Sequence, residues 1–218
     1  MRITILSLFP EMFSPLETSI IGRARESGKV KIEIINFRDY TIDKHRRVDD
    51  IPFGGSTGMV LSAQPIVDCI EAIDPSHEAH RIFLTPAAQI LKQSRVMELS
   101  KKEWIILLCG HYEGVDQRAI DLCIDEVLSI GGYVLTGGEL PAMVLTDAVV
   151  RQVEGVISAD SLINESHTNG LLEHPQYTRP REFRGLEVPA VLLSGNHAEI
   201  ETWKNKKSLE ITEKYGTN

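Results

Sequence analysis

Residues 105–143 read IILLCGHYEGVDQRAIDLCIDEVLSIGGYVLTGGELPAM, and the order of apolar runs and glycines in this stretch decides the fold. Ile105 to Leu108 is a continuous apolar run, short enough for a buried strand, and Gly110 lets the backbone turn at its end. His111 to Gly114 reads as a loop leaving the sheet, and Val115 to Cys123 as a helix with apolar residues at Val115, Ile120 and Cys123. A second strand is expected over Glu126 to Ile130, running into Gly131 to Gly138, where four of eight residues are glycine. Such a loop can bring its backbone close to a ligand. Glu139-Leu140-Pro141 reads as a helix start, because a carboxylate suits the first turn and proline is tolerated there; Ala142 to Val153 continues it. Strand, glycine loop, helix is a ligand-binding layout. Neither G-x-G-x-x-G nor G-x-x-x-x-G-K-[ST] occurs, so neither a dinucleotide fingerprint nor a P-loop is supported.

Working outward, Arg2 to Leu8 is a β-rich apolar run broken by Phe9-Pro10, Glu11 to Glu26 carries a helical pattern ending near Gly28, and Lys31 to Phe37 supplies another strand. This β-α-β opening predicts a parallel sheet. Residues 36–59 are a long polar segment rich in charges and turn formers, the kind of loop that carries function. Gln64 to Ile73 predicts a core-packing helix, Arg81 to Thr85 a short strand, and Gln89 to Leu99 a helix. Asn196 is placed to cap a helix that includes Ile200, Trp203 and Lys204.

The 218 residues suit one large domain and a small second one, and their 42% hydrophobic and 25% charged content is that of a globular protein without a membrane span. A cytoplasmic location is expected. Cys69, Cys109 and Cys123 are widely spaced in apolar surroundings, which favours reduced core thiols over disulfides or zinc, and the seven histidines show no metal-ligand spacing. A net charge of −8 argues against general nucleic-acid affinity, so an RNA substrate requires local basic patches.

Three groups of residues carry a resemblance: Leu108-Cys109-Gly110-His111-Tyr112-Glu113-Gly114-Val115-Asp116, Ser129-Ile130-Gly131, and Tyr133 to Ala142 with its Thr136-Gly137-Gly138-Glu139-Leu140-Pro141 core. They resemble the bacterial tRNA (guanine-N1)-methyltransferase family, TrmD. The likeness extends over Ser7 to Phe13, over residues 36–59, over Leu171 to Pro180 and over Val188 to His197, covering nearly the whole chain. It implies a SPOUT-type α/β fold, a parallel sheet with helices on both faces and a trefoil knot, over residues 1–157. It further implies a flexible interdomain linker at 158–169 and a small, mainly helical tRNA-binding domain at 170–218, shorter than usual in the family and so weaker in its grip on tRNA.

The resemblance implies S-adenosylmethionine as cofactor, bound by Leu84, Pro86, Gly110, Tyr112, Glu113, Ile130, Gly131, Tyr133, Leu135, Gly137 and Gly138. His45, Arg46, Asp49, Asp50, Gly58, Met59, Ser194, Asn196 and His197 are the implied substrate-binding residues. Lys204, Lys206 and Lys207 are placed to meet phosphates. The family implies a homodimer whose active site forms between subunits, and a stimulatory Mg2+ for which no carboxylate cluster identifies a site. Methylation at guanine N1 needs a carboxylate to take the N1 proton and a cation at O6, where negative charge develops. Glu165 and Arg151 have that chemistry. The chain departs from the family at Glu165, where the family has aspartate, at Ser56-Thr57, and at Ala87-Ala88. Two alternatives accompany this reading: another SPOUT methyltransferase with a different target nucleotide, and a non-catalytic RNA-binding paralogue that has kept the fold.

Overall fold

The strands that read as unbroken apolar runs are those covered on both faces. In the computed structural model, which describes residues 1–162, 165–167 and 170–216, β1 (Arg2–Leu6), β2 (Lys31–Ile35), β5 (His80–Ile90), β6 (Trp104–Cys109) and β7 (Glu126–Ser129) form one sheet in the order β2-β1-β6-β5-β7. Every pairing in it is parallel. Alternate residues of β6 face opposite layers: Ile105, Leu107 and Cys109 join one core cluster, Ile106 and Leu108 the other. The first cluster is closed by α1 (Ser19–Glu26), α3 (Gln93–Leu99) and α5 (Glu139–Val150) through residues such as Ile21, Val96 and Leu145. The second is closed by α2 (Ala63–Ile73) and α4 (Gln117–Cys123) through Ile66, Cys69, Ile70, Ala119 and Cys123. Each such fully buried aliphatic side chain contributes about 1.5–3 kcal/mol, so the two layers hold the sheet rigid beneath its loops. All three cysteines are free and buried.

Several boundaries differ from the sequence expectation, and long-range pairing is the reason. The helix expected from Gln89 begins only at Gln93, because β5 continues to Ile90. Leu84 and Gln89 both pair with Leu128, so residues 85–88 loop out of the strand; Gln89 and Ile90 then resume the ladder, and the Leu91 amide donates to the Ser129 carbonyl at 2.8 Å. The expected single helix over Glu11 to Glu26 is a 3-10 segment, Pro10–Glu17, followed by α1, with Pro15 inside the first piece removing an amide donor. Val115 is not helical: it bridges Leu61, and α4 starts at Gln117 where the Asp116 carboxylate accepts from the Arg118 amide at 2.9 Å. The helix expected to run to Val153 ends at Val150.

A buried ion pair ties the turn after α2 to β5. Arg81 donates from Nε to Asp74 Oδ2 at 2.9 Å and from a terminal nitrogen to the Asp74 carbonyl at 2.7 Å, while the amides of Glu78 and Ala79 also donate to the Asp74 carboxylate. Burial pushes Asp74 upward, but the Glu78 amide, Arg81 and the Ala79 amide outweigh it and hold the carboxyl below its ordinary range.

The chain divides into two compact units, Met1–Ile157 and Ser158–Asn218. The second contains α6 (Ala159–Leu162), a hairpin of β8 (Glu182–Phe183) and β9 (Leu186–Glu187), and α7 (His197–Tyr215). Arg184 and Gly185 form the hairpin turn, both with positive φ, as a type I′ turn requires. The Trp203 ring packs between those of His174 and Tyr177, each with centroids 6.3 Å away. Of the linker expected at 158–169, residues 163, 164, 168 and 169 lie outside the described residues, as do the side chains of 159 and 160.

Candidate active site

Parallel strands direct their carboxyl ends to one edge of the sheet, and loops leaving that edge enclose a cleft. Here the loops after β6 and β7 and the four residues looped out of β5 surround a cleft of about 310 Å³. Leu84, Pro86, Gly110, Tyr112, Glu113, Ile130, Tyr133, Leu135, Gly137 and Gly138 all line it. Gly131 does not. Its role is steric, since a Cβ there would sit 2.3 Å from the Tyr133 ring, and its backbone is held by the Ser129 hydroxyl, which donates to the Gly131 carbonyl at 2.9 Å.

Two glycine loops are clasped together at the cleft floor. The Gly138 amide donates to the Gly110 carbonyl at 2.8 Å, and His111 bridges Gly137. A Cβ on Gly138 would lie 2.7 Å from both Cys109 Cα and the Gly110 nitrogen, so only glycine allows this approach. Beneath the loops Glu139, 2% exposed, accepts from the Ser7 hydroxyl at 2.8 Å, and Ser7 Oγ accepts from the Phe9 amide at 2.9 Å. Burial, then the Glu139 charge, pushes the Cys109 thiol well above its ordinary pKa, leaving it protonated and inert. His111 packs between the rings of Phe9 and Tyr112, with centroids at 5.0 and 4.9 Å.

A hairpin leans on the cleft wall. Its strands are β3 (Asp49–Asp50) and β4 (Val60–Leu61), antiparallel, with residues 51–59 as the loop between them. Three hydrogen bonds join its base to the cleft: the Glu113 amide to the Met59 carbonyl at 3.0 Å, the Leu61 amide to the Gly114 carbonyl at 2.9 Å, and the Asp116 amide to the Leu61 carbonyl at 2.8 Å. Gly58, at φ +92°, lies against the Glu113 side chain, where a Cβ would meet it at 2.6 Å. Gly58 and Met59 are thus placed beside Glu113, with Asp49 and Asp50 across the hairpin from Leu61 and Val60. His45 and Arg46 sit in the turn before β3, where Arg38 donates to the Arg46 carbonyl at 2.9 Å and Arg46 pairs with Asp39.

Arg151 is not at this cleft. It ends α5, whose first cap is Gly138 in the cleft floor, and thirteen residues of helix rise put the two about 20 Å apart. Glu165 belongs to the second unit and lines a small cavity there with Leu171, Leu172, His174, Lys204 and Ser208. Ser194, Asn196 and His197 stand at the start of α7, where the Asn196 carbonyl oxygen Oδ1 accepts from the Glu199 amide at 3.4 Å and Ser194 Oγ accepts from the Asn196 amide at 3.1 Å. Lys204 and Lys207 are engaged on the helix surface by Glu201 and Glu210. Among the described residues no group of three or more His, Cys, Asp or Glu could hold a metal ion, and no helix is long and apolar enough to cross a membrane.

The profile of the family described as tRNA (Guanine-1)-methyltransferase TrmD matches residues 1–218. The chain is 53% identical over 216 residues to a Ruminiclostridium cellulolyticum protein named tRNA (guanine-N(1)-)-methyltransferase, with 97% of this chain and 93% of that one covered. Identically named proteins from Alkaliphilus metalliredigens and Clostridium botulinum strain Hall are 51% identical over 218 residues and 53% identical over 215; the matches cover 97% and 98% of this chain and 88% and 89% of theirs. This chain belongs to the TrmD family.

For a TrmD-family chain the sequence reading of the cleft was incomplete in an instructive way. Its named cofactor contacts left out His111, Thr85 and Pro141, which line the cleft, and it gave no role to Ser7, which fixes Glu139 beneath it. His111, Thr85 and Pro141 are neighbours of residues it did choose, so loop continuity was a usable signal. For Ser7 the signals were a polar residue ending an apolar strand and its place in the Ser7–Phe13 likeness, and neither names its partner. Its partner is 132 residues away.

Proposed function

We propose that the protein transfers a methyl group from S-adenosylmethionine to N1 of the guanine 3′ of the anticodon in tRNA, acting in the cytoplasm. The observation that carries the reading is the glycine-clasped cleft at the carboxyl edge of the sheet in a chain of this family. When bound, S-adenosylmethionine supplies a methyl group activated by its sulfonium. The cleft suits it: about 310 Å³ is within the range of small-molecule sites, Leu84, Pro86, Leu128 and Ile130 offer apolar walls for a flat ring, and glycine-bearing loops present backbone donors and acceptors. Glu113, the only carboxylate among the described residues of the lining, offers negative charge to a cationic ligand. The trefoil knot of the SPOUT fold, which membership of the family implies for these loops, belongs to the same proposal.

The rest of the chemistry falls to side chains. Guanine N1 keeps its proton at neutral pH, so Glu165 is assigned as the base that removes it and Arg151 as the donor that steadies O6. Arg151 lies about 20 Å along α5 from the cleft of its own chain, farther than a side chain reaches, which favours a homodimer in which it serves the partner's cleft. Leu140 and Val144, one helical turn apart on α5 and both about half exposed, offer that dimer an apolar face. The flexible linker role of 158–169 and the tRNA-binding role of 170–218 belong to the same proposal, with Ser194, Asn196, His197 and the lysines of α7 meeting the RNA.

The test is transfer of labelled methyl to unmodified tRNA transcripts with guanine 3′ of the anticodon, beside transcripts with adenine there. Label on the guanine transcript alone supports the reading; equal label on both, or none on either, overturns it.

A further inference from the structure

Phe53 is the most exposed large hydrophobic side chain among the described residues, at 99%, with Ile51 at 72% two residues before it. It stands in the loop of the β3–β4 hairpin, between Pro52 and the pair Gly54-Gly55, whose φ angles of +92° and +80° only glycine adopts readily. The base of this hairpin is bonded to the cleft wall at Met59 and Leu61, and Gly58 touches Glu113. The base of the loop that carries Phe53 is therefore anchored at the rim of the cleft.

We infer that Phe53 stacks on the unpaired base next to the target guanine and so holds the RNA while that guanine is drawn into the cleft. The inference rests on the methyltransferase reading above. Reaching N1 requires taking the guanine out of the loop stack, which leaves a neighbouring base with one face bare, and an aromatic ring restores that contact. Electrostatics favours the same occupant. The chain carries a net charge of −8, and two of the arginines in the segment before this hairpin are already engaged, Arg46 by Asp39 and Arg47 by Asp43 at 3.1 Å. Asp49 and Asp50 add negative charge at the hairpin base. Phosphate neutralisation alone is weak here, whereas stacking is insensitive to the charge balance. A single protruding ring between a proline and two glycines is also a narrow platform, the shape of one base rather than of a protein face.

The experiment compares wild type with Phe53→Ala, Phe53→Leu and Phe53→Trp, using tRNA transcripts carrying 2-aminopurine on one or the other side of the target guanine. Phe53→Ala should lower kcat/KM for tRNA by roughly 5- to 150-fold, the range a lost base–aromatic stack gives, with unchanged affinity for S-adenosylmethionine. The loss should persist at high salt. Phe53→Trp should restore activity and Phe53→Leu should not, and one transcript should show fluorescence quenching by wild type that Phe53→Ala lacks. Leucine working as well as phenylalanine, or an unchanged Phe53→Ala with active wild type, overturns the inference. So does Phe53→Ala converting a dimer to monomer, which would make the ring a contact for a second copy of the chain. If wild type methylates no tRNA, the functional reading has failed instead.

Discussion

Replacing Gly138 by alanine adds one methyl group at the tightest point of the cleft floor, and the consequences are calculable. The new Cβ would lie 2.7 Å from Cys109 Cα and from the Gly110 nitrogen, about 0.7 Å inside the 3.4 Å at which ordinary van der Waals contact begins. Both obstacles are backbone atoms at the end of β6, a strand paired on both sides, so neither can swing away. The two loops must separate, stretching the 2.8 Å bond from the Gly138 amide to the Gly110 carbonyl. Overpacking of this kind costs about 1–3 kcal/mol. In a chain of this size that lowers Tm by roughly 2–12 °C. A displacement of several tenths of an ångström in loops that form the cleft should weaken S-adenosylmethionine binding tenfold or more, since poorly aligned contacts are lost together. Gly132→Ala is the control: nothing lies within 4 Å of its Cβ, and stability should hold or rise slightly. Thermal denaturation with and without cofactor, and calorimetric titration, measure both effects. Unchanged Tm and affinity for Gly138→Ala, or an equal loss for Gly132→Ala, would mean that the close approach of the two loops does not hold the cleft.

Three further outcomes are expected. Asp74→Asn should cost about 3–5 kcal/mol at neutral pH by stranding buried Arg81, seen as a lower Tm. Because the folded pKa of Asp74 lies below its unfolded value of about 3.9, its stabilisation is complete above that pH and fades as pH falls through the folded value, so wild type and variant should converge in acid; a constant gap would contradict this. Arg151→Ala mixed with Gly137→Val should regain up to about a quarter of wild-type methylation, because half of randomly mixed dimers contain one intact site if Arg151 serves the partner's cleft; mixtures that exchange chains yet stay inactive place both functions in one chain. Glu165→Ala should keep cofactor affinity and lose about two to four orders of magnitude in single-turnover methylation. A wild-type rate across neutral pH would remove Glu165 as the base.

What was legible in the sequence was what local chemistry determines. The run from Ile105 to Leu108 announced a strand covered on both faces, and the glycines from Gly131 to Gly138 announced a close approach of backbone. What lay hidden depended on partners distant in the chain. Residues 85–88 loop out of β5 because Gln89 re-pairs with Leu128, a fact of register that the local pattern, read as a helix start, does not contain. The contact of Gly58 with Glu113 was equally invisible, although both residues were singled out separately. Ser7 read as the tail of a strand until the fold put Glu139 against it. Arg151 is the clearest case: its chemistry was readable, but its distance from the cleft follows only from the helix that separates them.

If this cleft serves transfer of a methyl group to N1 of one tRNA guanine, the product identifies it. The most direct measurement is nucleoside analysis of a tRNA transcript after reaction with the wild-type protein and S-adenosylmethionine: complete digestion followed by chromatography and mass spectrometry. The expected product is 1-methylguanosine as the single new nucleoside, mapped to the position 3′ of the anticodon and absent when that guanine is replaced. A methyl group on another atom of guanine, or on another nucleotide, would contradict it.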